Sequence, residues 1–241
     1  AGGQGMNTGM QDVINLAWKL AMVLRKKSSE TLLDTYFEER SPVAEDVLNE
    51  TENLTKMVTL KSPALMQLRN ALLPVLSKVG FVQKRLIAKM AEMAVHYRHS
   101  SIVSQDWPQS ILDNLMGLSA GDRAPNALLF DNNTRKEITL FDLFTLQKFH
   151  LLYFVGKDDS IIEIDSILHP LMEKHSDLVD VHVIVAEKDN HYYTDVTEQC
   201  FHDYAIKESA FYLVRPDGYI AYRNQPADVR LLSDYLDRVF Q

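Results

Sequence analysis

GGQGMNTGMQDVINLAWKL, residues 2–20, holds four of the chain's nine glycines, Gly2, Gly3, Gly5 and Gly9, and runs straight into a helical pattern. Glycine tolerates backbone angles and close approaches that other residues do not. A glycine-rich turn that opens a helix leaves backbone N–H groups with no intrahelical acceptor. Such a start suits an anionic or strongly accepting part of a ligand. Thr8 and Gln11 have the spacing of a capping box, so the helix is expected to begin near Asn7 or Thr8 and to run over residues 8–26. Val13, Ile14, Ala17, Trp18, Leu20 and Ala21 form an apolar stripe at helical spacing, with Asp12, Asn15 and Lys19 as polar interruptions. A glycine-rich start also marks a frayed terminus or a cloning scar. Neither continues as Asn7, Asp12, Asn15, Trp18 and Lys19.

The same 19 residues resemble the second flavin motif of the single-component FAD-dependent aromatic hydroxylases, the phenol hydroxylase and polyketide hydroxylase type. The resemblance implies that this loop and helix start lie against the isoalloxazine ring of FAD. Gly5, Met6 and Asn7 would then face the flavin, and Gly2 and Gly3 would allow its close approach. N–H donors at a helix start stabilise the negative charge that reduced flavin carries at that edge. LLDTYFEERSPVAEDVL, residues 32–48, resembles the family's next segment. GDRAPNALLF, residues 121–130, and YLVRPDGYIAYR, residues 212–223, resemble the start and the hairpin of its C-terminal domain.

Composition sets outer limits. At 241 residues, 46% of them hydrophobic, the chain has enough material for one or two domains with real cores. No apolar run approaches the roughly 18 residues that span a bilayer. The net charge of −8 argues against a general nucleic-acid binder. It is uneven: residues 1–118 carry net +1 and residues 119–241 net −9, which places the expected domain boundary near residue 118. The only cysteine is Cys200, so no intrachain disulfide is available and a cytosolic setting is expected. The N-terminus lacks an initiator Met and a secretory pattern and opens inside a motif, so the chain reads as the C-terminal part of a longer protein.

Read in order, the first helix ends in the basic cluster Arg25-Lys26-Lys27, and a second long helix carries Leu32, Leu33, Tyr36 and Phe37. Pro42 is expected to mark a kink or a fresh helix start. Residues 63–77 and 79–99 read as two more helices. Their methionines, with Met57, either line a ligand cavity or pack helices. His96 and His99 sit three apart on the expected helix, without an obvious third metal ligand. Residues 100–125 read as a linker. Strands are expected at 127–130, 149–155, 179–186, 210–214 and 219–223. Helical segments are expected at 140–144, 161–174, 194–204 and 227–240. The turn Pro216-Asp217-Gly218 joins the last two strands. This order, βαβ then a β-hairpin and a helix, is a thioredoxin topology.

The expected fold class is therefore α+β in two parts: residues 1–118 as the flavin-edge loop and helical piece of an FAD-binding domain, and residues 119–241 as a thioredoxin-like α/β domain. The second part has no Cys-x-x-Cys. Val155-Gly156-Lys157-Asp158-Asp159 stands where a redox thioredoxin carries its cysteines, and Cys200 reads as structural. The resemblance implies an FAD-dependent monooxygenase that uses NAD(P)H and hydroxylates an aromatic compound through a flavin C4a-hydroperoxide. It also implies a missing N-terminal part bearing the ADP site, subunit contact through the C-terminal domain, and a fragment inactive by itself. No catalytic or metal-ligating residue is assigned. The competing reading is a non-catalytic interaction or dimerisation module; a stand-alone redox thioredoxin fails on its cysteine count.

Overall fold

The computed structural model describes residues 4–59, 66–67, 95–108, 117–156, 164–187, 189 and 191–240. The expected helices over 63–77 and 79–99 lie outside the described residues, apart from residues 66–67 and 95–99. The chain forms two compact units, Ala1–Leu16 with Tyr36–Val95, and Ala17–Thr35 with His96–Gln241.

Residues 4–16 and 36–58 of the first unit come from two helices, whose remaining residues belong to the second unit. α1 spans Gln4–Leu24 and α2 spans Thr31–Val58. α1 starts a turn earlier than its capping-box spacing suggests. Gln11, which would complete the box, instead accepts a hydrogen bond from Arg40 Nη1 at 3.3 Å. Thr8 is thus an interior residue of α1. α2 continues through Pro42 as one helix, so no fresh start occurs there. The stripe on α1 is also not the expected one. Val13, Ile14 and Leu20 are exposed, whereas Asn15, Trp18, Lys19 and Met22 are buried. The polar interruptions Asp12 and Asn15 are the residues that meet α2: Arg40 Nε donates to Asp12 Oδ1 at 2.6 Å, and Asn15 Nδ2 donates to Glu39 Oε2 at 2.6 Å.

α1 ends in a Schellman motif. The Lys27 N–H donates to the Met22 carbonyl and the Lys26 N–H to the Val23 carbonyl, both at 2.9 Å, with Lys26 at φ 57°.

The second unit is built on a mixed sheet. Its strands are β1 (Ser104–Asp106), β2 (Leu128–Asp131), β3 (Lys136–Thr139), β4 (Phe149–Val155), β5 (Val179–Val185), β6 (Tyr193–Thr194), β7 (Ala210–Val214) and β8 (Ile220–Asn224). Their spatial order is β1-β8-β7-β4-β5-β6-β2-β3. β4 and β5 are parallel, β7 runs antiparallel to β4, and β7 and β8 form the hairpin around Pro216-Asp217-Gly218. A 3₁₀ turn at Leu140–Leu143 and the helices α3 (Ile164–His175), α4 (Gln199–Asp203) and α5 (Val229–Val239) complete the described elements.

β4 is buried along its whole length because both faces of the sheet are covered. Phe149, Leu151, Tyr153 and Val155 point to one face. There they join Leu168 and Leu171 of α3, Leu232 and Leu236 of α5, and Trp18, Met22 and Leu32. Leu152 and Phe154 point to the other face, against Leu129, Leu140, Ile184, Cys200, Tyr204 and Tyr212. This alternation follows from the two-residue period of a strand.

Three further expectations are corrected. Residues 95–99 are not helical. Tyr97 is buried, its N–H donates to the Gly121 carbonyl at 2.7 Å, and Arg98 pairs with Asp122, so backbone and side chains are held by the sheet unit. Of the expected linker over 100–125, residues 109–116 lie outside the described residues, and the rest is part of the sheet unit: β1 lies parallel to β8, and the Gly121 N–H donates to the Ile220 carbonyl at 2.7 Å. Residues 194–204 do not form one helix. Tyr193 and Thr194 pair with both β2 and β5, Glu198 is left-handed at φ 56°, and only Gln199–Asp203 is helical.

Candidate functional site

The start of α1 is the first place to look for a ligand. Gly2 and Gly3 lie outside the described residues. Gly5 is exposed, Met6 is 74% exposed and Asn7 is half-buried. A Cβ built on Gly5 or Gly9 meets nothing within 4 Å. Among the described residues, no packing therefore requires glycine at either position. The first turn of α1 carries no acidic side chain, so the positive end of the helix dipole is left uncompensated by its own sequence. Its first N–H groups have no intrahelical acceptors. Such a start can receive a flat, acceptor-rich edge at van der Waals distance.

Behind this start, Arg40 of α2 grips the next turns of α1. Its side chain is 3% exposed and donates to Asp12 Oδ1, Gln11 Oε1 and the Thr8 carbonyl. Neither Arg40 nor Glu39 stands out for a role in the sequence. The available signal is Glu38-Glu39-Arg40, an acidic-acidic-Arg run shortly before Pro42.

A second polar cluster sits in the sheet unit. Arg215 is fully buried and makes a two-point ion pair with Asp217, Nε donating to Oδ1 at 2.9 Å and Nη2 donating to Oδ2. Trp18 Nε1 donates to Asp217 Oδ2 at 3.0 Å, and the guanidinium stacks 5.1 Å from the ring centres of Trp18 and Tyr97. This cluster ties the motif residue Trp18 to the β7–β8 hairpin.

Two histidines pair inside the sheet. His150 Nε2 lies 2.8 Å from the Thr145 backbone nitrogen and 3.1 Å from the Thr145 carbonyl oxygen, and His150 Nδ1 is 3.1 Å from His182 Nε2. Burial and the neighbouring His150 bring the His182 pKa down to about 4, while Asp180 acts in the opposite direction. Cys200 is buried, and burial first, then Asp195 and Asp203, pushes its thiol well above the ordinary range. Such a thiol is a packing group rather than a nucleophile. Among the described residues no group of three or more His, Cys, Asp or Glu could hold a metal ion, and no helix is long and apolar enough to cross a membrane.

Residues 1–51 match the family described as FAD binding domain, and residues 118–241 match the family described as Aromatic-ring hydroxylase, C-terminal. The chain is 45% identical over 114 residues to a 6-methylpretetramide 4-monooxygenase of Streptomyces rimosus, covering 42% of this chain and 19% of that one. It is 32% identical over 241 residues to a flavin-dependent monooxygenase of Mycobacteroides abscessus, covering 99% of this chain and 37% of that one. Among solved structures, aklavinone-11 hydroxylase in a ternary complex with FAD and aklavinone matches with a TM-score of 0.64 and 25% identity, covering 99% of this chain and 40% of that one. The chain thus spans well under half the length of these relatives. With more than half of its residues inside the hydroxylase match, the chain belongs to the aromatic-ring hydroxylase C-terminal family.

Proposed function

We propose that this chain is part of an FAD-dependent monooxygenase that uses NAD(P)H to hydroxylate an aromatic compound. The observation that carries the reading is the open glycine-bearing start of α1, inside the stretch that matches an FAD-binding family. Its features fit a flavin edge: glycines that packing among the described residues does not need, N–H groups without intrahelical acceptors and no competing carboxylate in the first turn. Gly5, Met6 and Asn7 would hold that edge, with Gly2 and Gly3 allowing its approach. The bound flavin would supply the redox and oxygen chemistry. This chain's residues would bind and orient it.

In this reading residues 1–118 complete an FAD-binding domain whose N-terminal part, with the ADP site, lies upstream. Met6, Met10 and Val13 are 74%, 52% and 67% exposed, an apolar face for that missing part to cover. Residues 119–241 form a thioredoxin-like domain, supported by the β8-β7-β4-β5 order with one parallel and two antiparallel pairings. Without a Cys-x-x-Cys it would serve structure and homodimer contact. The aromatic substrate would enter the part of the enzyme outside this chain, and the chain alone would be inactive.

Gly5→Ala separates this reading from a purely structural one. Inside a helix, with open space for its Cβ, the change is expected to raise stability by about 0.5–1 kcal/mol. In the chain extended upstream, the same change is expected to weaken FAD binding and slow phenol-stimulated NAD(P)H oxidation. Unchanged FAD binding and turnover in that variant would contradict the assignment.

A further inference from the structure

We propose that Arg40 is a positioning residue for the flavin-edge start of α1, an inference that rests on the reading under Proposed function. Its acceptors on α1 include the Thr8 carbonyl, Gln11 Oε1 and Asp12 Oδ1. They stand at i, i+3 and i+4, one face of a helix. The charged contact is the short one: Nε to Asp12 Oδ1 is 2.6 Å, while the contacts to Gln11 and Thr8 are 3.3 and 3.4 Å. Together they fix both the rotation of α1 about its axis and its position along it. A planar guanidinium reads three acceptors from one side, which an ammonium cannot do.

The location gives this grip its consequence. Thr8 lies three residues beyond Gly5, roughly 4.5 Å along the axis at 1.5 Å per residue. Glycines at 5 and 9 leave the first turns with little side-chain packing of their own; a methyl group added at either position would have no neighbour within 4 Å. Arg40 itself is 3% exposed and Asp12 36%, so the pair is shielded from water on its guanidinium side. α1 and α2 share a second buried link, Asn15 Nδ2 to Glu39 Oε2 at 2.6 Å, about one turn farther from the glycines. If the seam served packing alone, loss of either link would have the same effect on the flavin.

The test compares Arg40→Met, Arg40→Lys and Asp12→Asn with Glu39→Gln. In the 241-residue chain, amide hydrogen exchange over residues 8–12 is expected to speed up in the three variants that break the Arg40 grip. In the chain extended upstream and loaded with FAD, those variants are expected to raise the FAD dissociation constant roughly ten- to a hundredfold and to shift the flavin midpoint potential. Glu39→Gln is expected to lower the melting temperature with the potential unchanged. Arg40→Lys and Asp12→Asn keep the test decisive should Arg40→Met fail to fold. Wild-type FAD affinity and potential in both Arg40→Lys and Asp12→Asn, alongside impaired binding in Gly5→Ala, would overturn the role of Arg40 alone. Full FAD binding by Gly5→Ala would overturn the flavin-edge reading and this inference with it.

Discussion

Arg215 and Asp217 face each other with side chains 0% and 3% exposed, and each neutralises the other where water cannot. Asp217→Asn would remove the carboxylate charge beside a buried guanidinium and is expected to destabilise the sheet unit by about 3 kcal/mol, readable by urea melts. Gly121 is a different kind of constraint. Its φ is 90°, and a Cβ there would sit 2.5 Å from the Arg98 backbone nitrogen. Gly121→Ala is therefore expected to cost about 2–3 kcal/mol, whereas Gly218→Ala, at φ 82° with open space, should cost less. His182 gives a pH dependence. Its folded pKa of about 4 lies below the unfolded value near 6.5, so the unfolded state binds more protons in between. Stability should thus be full above pH 6.5 and decline as pH falls toward about 4, and His182→Gln should flatten that slope in melts at successive pH values. His150, Asp180, Lys148 and Tyr193 are the groups around this imidazole, and the lowered His150 pKa adds to the slope with the same sign. None of these pairings is legible in the sequence. Trp18 and Asp217 are 199 residues apart, and local patterns carry no record of such partners. Cys200 is legible, because a lone cysteine flanked by carboxylates has few roles other than packing.

At the scale of elements, the strands with strong apolar runs are legible. β4 and β7 have the bounds that their sequences suggest, because burial on both faces removes polar alternation and leaves an unbroken run. β1 and β6 are not. They are short strands held by backbone pairing, and Ser104, Gln105 and Asp106 carry no apolar signal. The start of α1 departs from its expected place for another reason. Capping-box spacing describes two residues that serve the backbone, but Gln11 is recruited by a guanidinium 29 positions away. The end of α1 yields a prediction. Lys26 occupies the left-handed position that glycine fills at little cost. Lys26→Gly is expected to stabilise the chain by about 1 kcal/mol, seen as a higher denaturation midpoint. The neighbouring Lys27 pairs with Asp177 at an exposed site, so Lys27→Ala should change stability by less than about 1 kcal/mol.

Across the whole molecule, the two family matches at 1–51 and 118–241 bracket the chain, and the residues between them lie outside both. The match of residues 1–51 to an FAD-binding family is legible because the pattern is local: glycines, a helix start and the polar residues behind it. The proposal that the enzyme is completed upstream has a direct quantitative consequence. Most contacts to the ADP half of FAD would be absent from this chain, so affinity should appear only when that part is restored. The central measurement is an FAD titration followed by flavin fluorescence, comparing this chain with the chain extended upstream. The expected result is negligible binding by this chain at micromolar FAD, tight binding by the extended protein, and faster NAD(P)H oxidation by the latter when phenols are added. Micromolar or tighter binding by this chain alone, or no binding by either, would contradict it.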